Sequence, residues 1–185
     1  HSSQIQGFTN MPFDHLYARR IIFDRLRTLD LNPESSVILA PDAGSARMAQ
    51  SFAKHLGTGF AMVDKRRPAP NKAEVVHVIG DLDKKQVIIV DDMIDTGGTI
   101  VNAAHMSIDK GAVSVMAVVT HGILSGDAPE KIMNSPIEKL IATNTIDIPE
   151  DRKIDKLELI SVAGLFSEAI NCIHNGESIS ALFEF

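Results

Sequence analysis

The chain has 185 residues, with 18 lysines and arginines against 24 aspartates and glutamates and a formal charge of −6. At 44% hydrophobic and 23% charged residues it has globular composition, which excludes a disordered or fibrous architecture. The acidic balance argues against nucleic acid as a partner, and the one cysteine, Cys172, excludes an internal disulfide framework or an all-cysteine zinc site. No apolar run is long enough for a membrane span and no signal segment is evident, so a cytoplasmic protein without a membrane partner is expected. The length suits one domain plus an appendage. Because the sequence opens at His1-Ser2-Ser3, without a methionine and inside structured-looking sequence, a larger parent protein is expected.

In chain order, the apolar spacing predicts a helix over Tyr17–Leu29, a strand at Val37–Ala40, a helix at Ala46–Leu56 and a strand at Phe60–Val63. Asn71–Gly80, with Val75, Val76, Val78 and Ile79, reads as an edge strand. Val87–Val90 is a continuous apolar strand, followed by a helix at Thr99–Lys110 that Gly111 stops. A strand at Val113–Thr120 and a helix at Ala163–His174 complete the set. Continuous apolar strands alternating with helices predict an α/β fold: a mostly parallel sheet flanked by helices. Ligands of such sheets bind beyond the carboxyl ends of the strands. The segments to examine are therefore Pro41–Ser45, Asp64–Arg67, Asp91–Thr99 and Thr120–Gly122.

Asp91–Thr99 carries the most chemistry. Asp91 and Asp92 close an apolar strand, and Asp95-Thr96-Gly97-Gly98-Thr99 runs straight into a helix. Backbone amides at a helix start, freed by glycines to converge, bind an anion, and Thr96 and Thr99 add hydroxyl donors. Carboxylates repel phosphate but accept hydrogen bonds from sugar hydroxyls, which suits Asp91 and Asp92. The segment thus has a phosphate end and a diol end, and a pentose 5-phosphate fits both. A plain helix cap by Asp95 or Thr96 would explain one acid and one hydroxyl, not two acids and a Gly-Gly pair. No lysine follows the glycines, so this is not a Walker A loop, and the dinucleotide fingerprint is absent.

Val90-Asp91-Asp92-Met93-Ile94-Asp95-Thr96-Gly97-Gly98-Thr99 resembles the phosphoribosyl pyrophosphate (PRPP) loop of type I phosphoribosyltransferase folds. Further stretches narrow the resemblance to the ribose-phosphate pyrophosphokinase (PRPP synthetase) family: His1–Phe8, Pro41–Gly44, Asp64–Pro68, Thr120–Gly126, Thr143–Ile146 and Glu177–Phe183. They lie in the family's order along nearly the whole chain. The resemblance implies transfer of the diphosphoryl group of Mg·ATP to O1 of ribose 5-phosphate, giving PRPP and AMP. It implies that Asp91 and Asp92 meet the ribose hydroxyls and that Asp95, Thr96, Gly97, Gly98 and Thr99 hold the 5-phosphate. Lys65 and Arg67 match the family's catalytic basic pair, Arg67 also reaching the sugar phosphate; an ammonium and a bidentate guanidinium suit oxyanions. Asp42, Ala43 and Gly44 match the pyrophosphate loop, while His1 and Asp42 match ligands of the nucleotide's Mg²⁺. Tyr17, Ser178 and Phe183 match part of a regulatory site. Ser45 stands where the family has a second glycine, and Asn10 where it has aspartate.

The resemblance further implies a homo-oligomer, a hexamer of dimers at full length. It divides the chain into 1–16, a remnant of a preceding domain; 17–165, the phosphoribosyltransferase-like domain; and 166–185, a helix and tail packing on that preceding domain. Alone, the chain is expected to bind ribose 5-phosphate or PRPP and to turn over poorly or not at all. Two alternatives are a PRPP-consuming phosphoribosyltransferase, which has no need of Lys65, Arg67 and the His1 segment, and a PRPP-binding regulatory subunit without catalysis. The histidines His15, His55, His77, His105, His121 and His174 show no metal-ligand spacing and read as surface or structural residues.

Overall fold

The structure is a computed structural model and describes residues 1–66 and 75–183. Among the described residues, seven strands form one sheet in the order β3-β2-β1-β4-β5-β6-β7. They are β1 (Ser36–Ala40), β2 (Gly59–Arg66), β3 (Val75–Ile79), β4 (Gln86–Ile94), β5 (Ser114–Gly122), β6 (Ile137–Thr143) and β7 (Leu157–Ile160). All neighbours are parallel except β3, which runs antiparallel along β2 at the edge predicted for it. Among the described residues, five α-helices flank the sheet: α1 (Arg19–Arg27), α2 (Ala46–Leu56), α3 (Gly98–Asp109), α4 (Ala128–Met133) and α5 (Ala163–His174).

The apolar runs account for the layering. All five residues of β1 are buried, as are Val87–Val90 in β4, so these central strands are covered on both faces. One core layer packs Val87, Ile89, Ala117 and Val119 against Ile100 and Ala104 of α3; the other packs Ile38, Ile88 and Val118 against Phe52 of α2 and Ile22 and Leu26 of α1. Alternation along each strand sends its side chains to the two layers in turn.

Helix limits fall within two residues of expectation, but several strand limits move. β4 continues to Ile94, because Asp91, Met93 and Ile94 pair with Val119, His121 and Gly122 of β5. Asp91 and Asp92 are therefore strand residues, held by the ladder rather than by a loop. β2 likewise extends to Arg66, with Lys65 opposite Val76, so Lys65 sits on a strand and not in a turn after one. β6, β7 and α4 add to the elements the apolar spacing predicts. β6 reads Ile-Glu-Lys-Leu-Ile-Ala-Thr, and the charged pair Glu138-Lys139 interrupts the apolar signal of a strand whose last four residues are buried.

Polar contacts tie these outer elements to the centre. The Lys156 ammonium, just before β7, donates to the carbonyls of Ile132, Met133 and Ser135 at 3.1, 2.9 and 3.0 Å, capping the C-terminal end of α4. Arg25 on α1 forms a bidentate pair with Glu158 of β7, and Lys139 of β6 reaches the same carboxylate at 3.1 Å. The Arg25 hydrogen bond, followed by that from Lys139, holds the Glu158 carboxyl below its ordinary range. Its stabilisation is present above the unfolded value of 4.5 and is lost as pH falls through the lower folded one. Glu158→Gln is expected to cost about 1 kcal/mol near neutral pH, solvent exposure keeping it small. In thermal unfolding, the gap to wild type should close in acid.

Near the two ends, Leu165, Ala169 and Leu182 form a small cluster with Leu16, Ile21 and Ile179. Arg19 Nη2 donates to Phe183 O at 2.8 Å. The 3-10 turn Ser3–Phe8 buries no residue.

Candidate active site

The chain leaves β1 toward β2 and β3 on one side and leaves β4 toward β5, β6 and β7 on the other, so connections diverge between β1 and β4. A crevice opens at such a switch point beyond the strands' carboxyl ends. Here a cavity of about 710 Å³ is lined by Asp42 after β1, Asp91 and Asp92 from β4, and Asp95–Thr99 before α3. The structure thus brings the proposed diol and phosphate ends into one cavity. Gly44 and His1 line it as well.

Asp91 is the most perturbed acid. Burial pushes its carboxyl up to about 7, and the like charges of Asp92 and Asp42 push the same way against a hydrogen bond from the Asp92 amide. That amide donates to Asp91 Oδ1 at 2.9 Å. A concentration of negative charge with one acid held reluctantly ionised is relieved by hydroxyl donors or by a cation. Asp92 Oδ2 lies 3.9 Å from His1 Nε2, both groups being half exposed.

The phosphate end is built from backbone. Neither Asp95 nor Thr96 caps α3: the N-cap is Gly97, at φ 77°, and no side chain caps the helix. The plain-cap explanation of this segment is therefore not realised, and the first-turn amides remain available to an anion. Gly97 is favoured by its backbone, since an L-residue is strained at that φ, while an added Cβ would make only an ordinary contact with Ala128 of α4 at 3.6 Å. The loop is pinned from outside: Ser125 N donates to Asp95 O at 3.0 Å, and Lys131 Nζ, paired with Asp127 at 2.8 Å, reaches Thr96 O at 3.4 Å. Ser125 lies in the Thr120–Gly126 stretch that carries the resemblance and Lys131 went unnoticed in the sequence; the part both play in pinning the loop depends on α4 folding back against it.

Asp42 has two jobs. Its Oδ1 accepts from the amides of Gly44 at 2.9 Å and Ser45 at 3.3 Å, and Ser45 Oγ donates back to Asp42 O at 3.2 Å. One carboxylate oxygen thus fixes the turn into α2 and the other is left for a ligand. Among the described residues no group of three or more His, Cys, Asp and Glu side chains is arranged to hold a metal ion. Mg²⁺ commonly takes one or two carboxylates with waters and substrate phosphates, a role that the second oxygen of Asp42 suits.

Lys65 is on β2 at the sheet's outer side, with its side chain outside the described residues, and Arg67 lies outside them altogether. Tyr17 lines the cavity and meets Phe183 edge-on at 6.4 Å and Arg19 at 5.0 Å, whereas Ser178 bonds to Ser180 Oγ at 2.8 Å. His15 and His121, read from sequence as surface or structural residues, both line the cavity. His121 joins it by way of the β5–β6 junction, and Thr145 with it.

Fold and site together define a type I phosphoribosyltransferase-like domain. The fold is shared with the crystal structure of orotate phosphoribosyltransferase from Aeropyrum pernix, at a TM-score of 0.52 and 19% identity over 82% of this chain and 75% of that one. A much nearer likeness is the crystal structure of phosphoribosylpyrophosphate synthetase from Mycobacterium smegmatis, with a TM-score of 0.86 and 34% identity, covering 95% of this chain and 56% of that one. The sequence is 49% identical to a ribose-phosphate pyrophosphokinase of Aquifex aeolicus over 99% of this chain, and 48% identical to that of Caldanaerobacter subterraneus over the same share. Residues 63–184 match the phosphoribosyl synthetase-associated domain, and the chain belongs to that family. It spans 58% of the length of both curated relatives. No helix among the described residues is long and apolar enough to cross a membrane.

Proposed function

We propose that this chain provides the ribose 5-phosphate site of a ribose-phosphate pyrophosphokinase, a cytoplasmic enzyme that makes PRPP and AMP from ribose 5-phosphate and ATP. The observation that carries the proposal is the single cavity in which Asp91 and Asp92 stand beside an uncapped helix start at Gly97 and Gly98. The first-turn amides, with Thr96 and Thr99, hold the 5-phosphate; Asp91 and Asp92 accept from ribose hydroxyls and orient the sugar. O1 of the anomeric hydroxyl attacks the β-phosphorus of ATP, the O1–Pβ bond forms, the bond from Pβ to the oxygen it shares with the α-phosphate breaks so that AMP leaves, and the hydroxyl proton passes to solvent water. Such a transfer depends on positioning and charge neutralisation, the work assigned to Lys65 and Arg67. When bound with the nucleotide, held by Asp42 and His1, Mg²⁺ would add neutralisation of the phosphate oxygens.

The same proposal assigns this chain the sugar phosphate half of the chemistry, with weak or no turnover alone. The 1–16, 17–165 and 166–185 division, assembly as a hexamer of dimers, and a regulatory part for Tyr17, Ser178 and Phe183 belong to the same proposal. Lys65→Ala is expected to leave ribose 5-phosphate affinity within about twofold but to weaken PRPP binding about 30-fold, because charge-assisted contacts to the pyrophosphate are lost. Titration calorimetry of both ligands in the presence of Mg²⁺ measures this. Equal loss for the two ligands would place Lys65 outside the pyrophosphate site.

A further inference from the structure

The parallel register between β5 and β6 slips at the cavity's rim. Val119 faces Ala142 and His121 faces Thr143, so two steps on β5 match one on β6 and Thr120 is the extra residue. Such bulges re-aim side chains beside binding sites. A chain of hydrogen bonds fills this one. Thr143 Oγ1 lies 2.7 Å from Thr120 O, Thr145 Oγ1 lies 3.0 Å from Thr143 Oγ1, and His121 Nδ1 lies 2.8 Å from Thr145 Oγ1. Thr145 Oγ1 also approaches Thr120 O, at a longer 3.4 Å.

The direction of this chain follows from its end. A carbonyl only accepts, so the Thr143 hydroxyl donates to Thr120 O. Its one hydrogen being used, the Thr145 hydroxyl donates to Thr143; by the same count the His121 Nδ1–H donates to Thr145. This alone places a hydrogen in each of the three short contacts. In this assignment Nδ1 carries the proton and, in the neutral ring, Nε2 is an acceptor. Burial, more than any other influence, holds His121 below its ordinary value, which favours the neutral ring.

An imidazole acceptor in the cavity that Asp92 also lines repels a phosphate oxygen and suits a hydroxyl. We propose that His121 Nε2 accepts a hydrogen bond from a hydroxyl of the sugar that Asp91 and Asp92 hold, and that the Thr143–Thr145 relay sets the ring for it. His121 is then a third hydroxyl-reading group of the site and a determinant of sugar specificity. This inference rests on the pentose phosphate site proposed above.

Two experiments test it. Long-range ¹H–¹⁵N correlation spectra of the chain should show His121 with a protonated Nδ1 and an unprotonated Nε2; the opposite tautomer would overturn the proposal. Calorimetry then compares ribose 5-phosphate with its 1-deoxy, 2-deoxy and 3-deoxy analogues on wild type, His121→Ala and Thr145→Val. For one analogue the wild-type penalty of about tenfold should vanish in His121→Ala and shrink in Thr145→Val, the other two penalties persisting. If all three penalties survive in His121→Ala, His121 is structural only and the proposal falls while the pentose phosphate site stands. If ribose 5-phosphate fails to bind wild type, the site itself is misassigned and the proposal falls with it.

Discussion

Asp91→Ala and Asp92→Ala are each expected to weaken ribose 5-phosphate binding about 100-fold, since a carboxylate that accepts from sugar hydroxyls contributes roughly 1.5–3 kcal/mol per hydrogen bond. Titration calorimetry measures the loss. For Asp91 the effect on stability has the opposite sign. Its carboxyl is held at about 7 by burial first and by the charges of Asp92 and Asp42 second, against an ordinary 3.8. Between those values the native chain binds more protons than the unfolded one, so this group's contribution falls as pH rises and is at its worst above about 7. Asp91→Asn should therefore raise the melting temperature, more at pH 8 than at pH 5, while impairing binding. A site that trades stability for function behaves this way. A variant that loses binding and stability together would mark Asp91 as a structural residue.

The largest expected effect on folding lies at Gly80, where β3 ends against β2. Gly80 has φ 115°, and an added Cβ would lie 2.6 Å from Ala61 Cβ and 2.9 Å from both Ala61 Cα and Phe60 O. Ala61 is fully buried within β2, so the backbone itself must move. Gly80→Ala should cost about 3 kcal/mol through strain and overpacking, which in a chain of this size lowers the melting temperature by roughly 6–12 °C. Gly7→Ala, with nothing within 4 Å of the added atom, is the control and should stay within about 0.5 kcal/mol. β2 also carries Lys65, for which a catalytic role is proposed above, so a β3 pushed off β2 removes the partner that holds that segment extended. An unchanged melting temperature for Gly80→Ala would contradict this packing.

The legible parts of the sequence were those whose chemistry is local. Val87–Val90 reads as a buried strand because every residue is apolar, and Asp91–Thr99 reads as a bipartite ligand loop because acids, hydroxyls and glycines follow one another within nine positions. What escaped depends on distant pairing. Asp91 and Asp92 look like loop residues until the β5 ladder is seen to continue beside them. β6 hides behind Glu138 and Lys139, and Lys139 is charged because it meets Glu158 of the next strand. His121 stands in the Thr120–Gly122 segment after a predicted strand but reads there as a surface or structural residue; its contacts follow from a bulge against β6 and from Thr143 and Thr145, more than twenty positions away. The Thr143-Asn144-Thr145 run was the available hint, a cluster of hydrogen-bonding side chains where a plain loop needs none. Asp42 shows the reverse case, for its amide-capping oxygen is visible only in the turn into α2.

The central claim is that one cavity holds a phosphate at the start of α3 and a diol at the end of β4. Calorimetric titration of this chain with ribose 5-phosphate, ribose and inorganic phosphate tests it directly. Ribose 5-phosphate should bind at least 100-fold more tightly than either part, because only the intact molecule engages both ends at once. Inorganic phosphate binding as tightly as ribose 5-phosphate would reduce the site to an anion hole and contradict the account, as would no binding of ribose 5-phosphate at all.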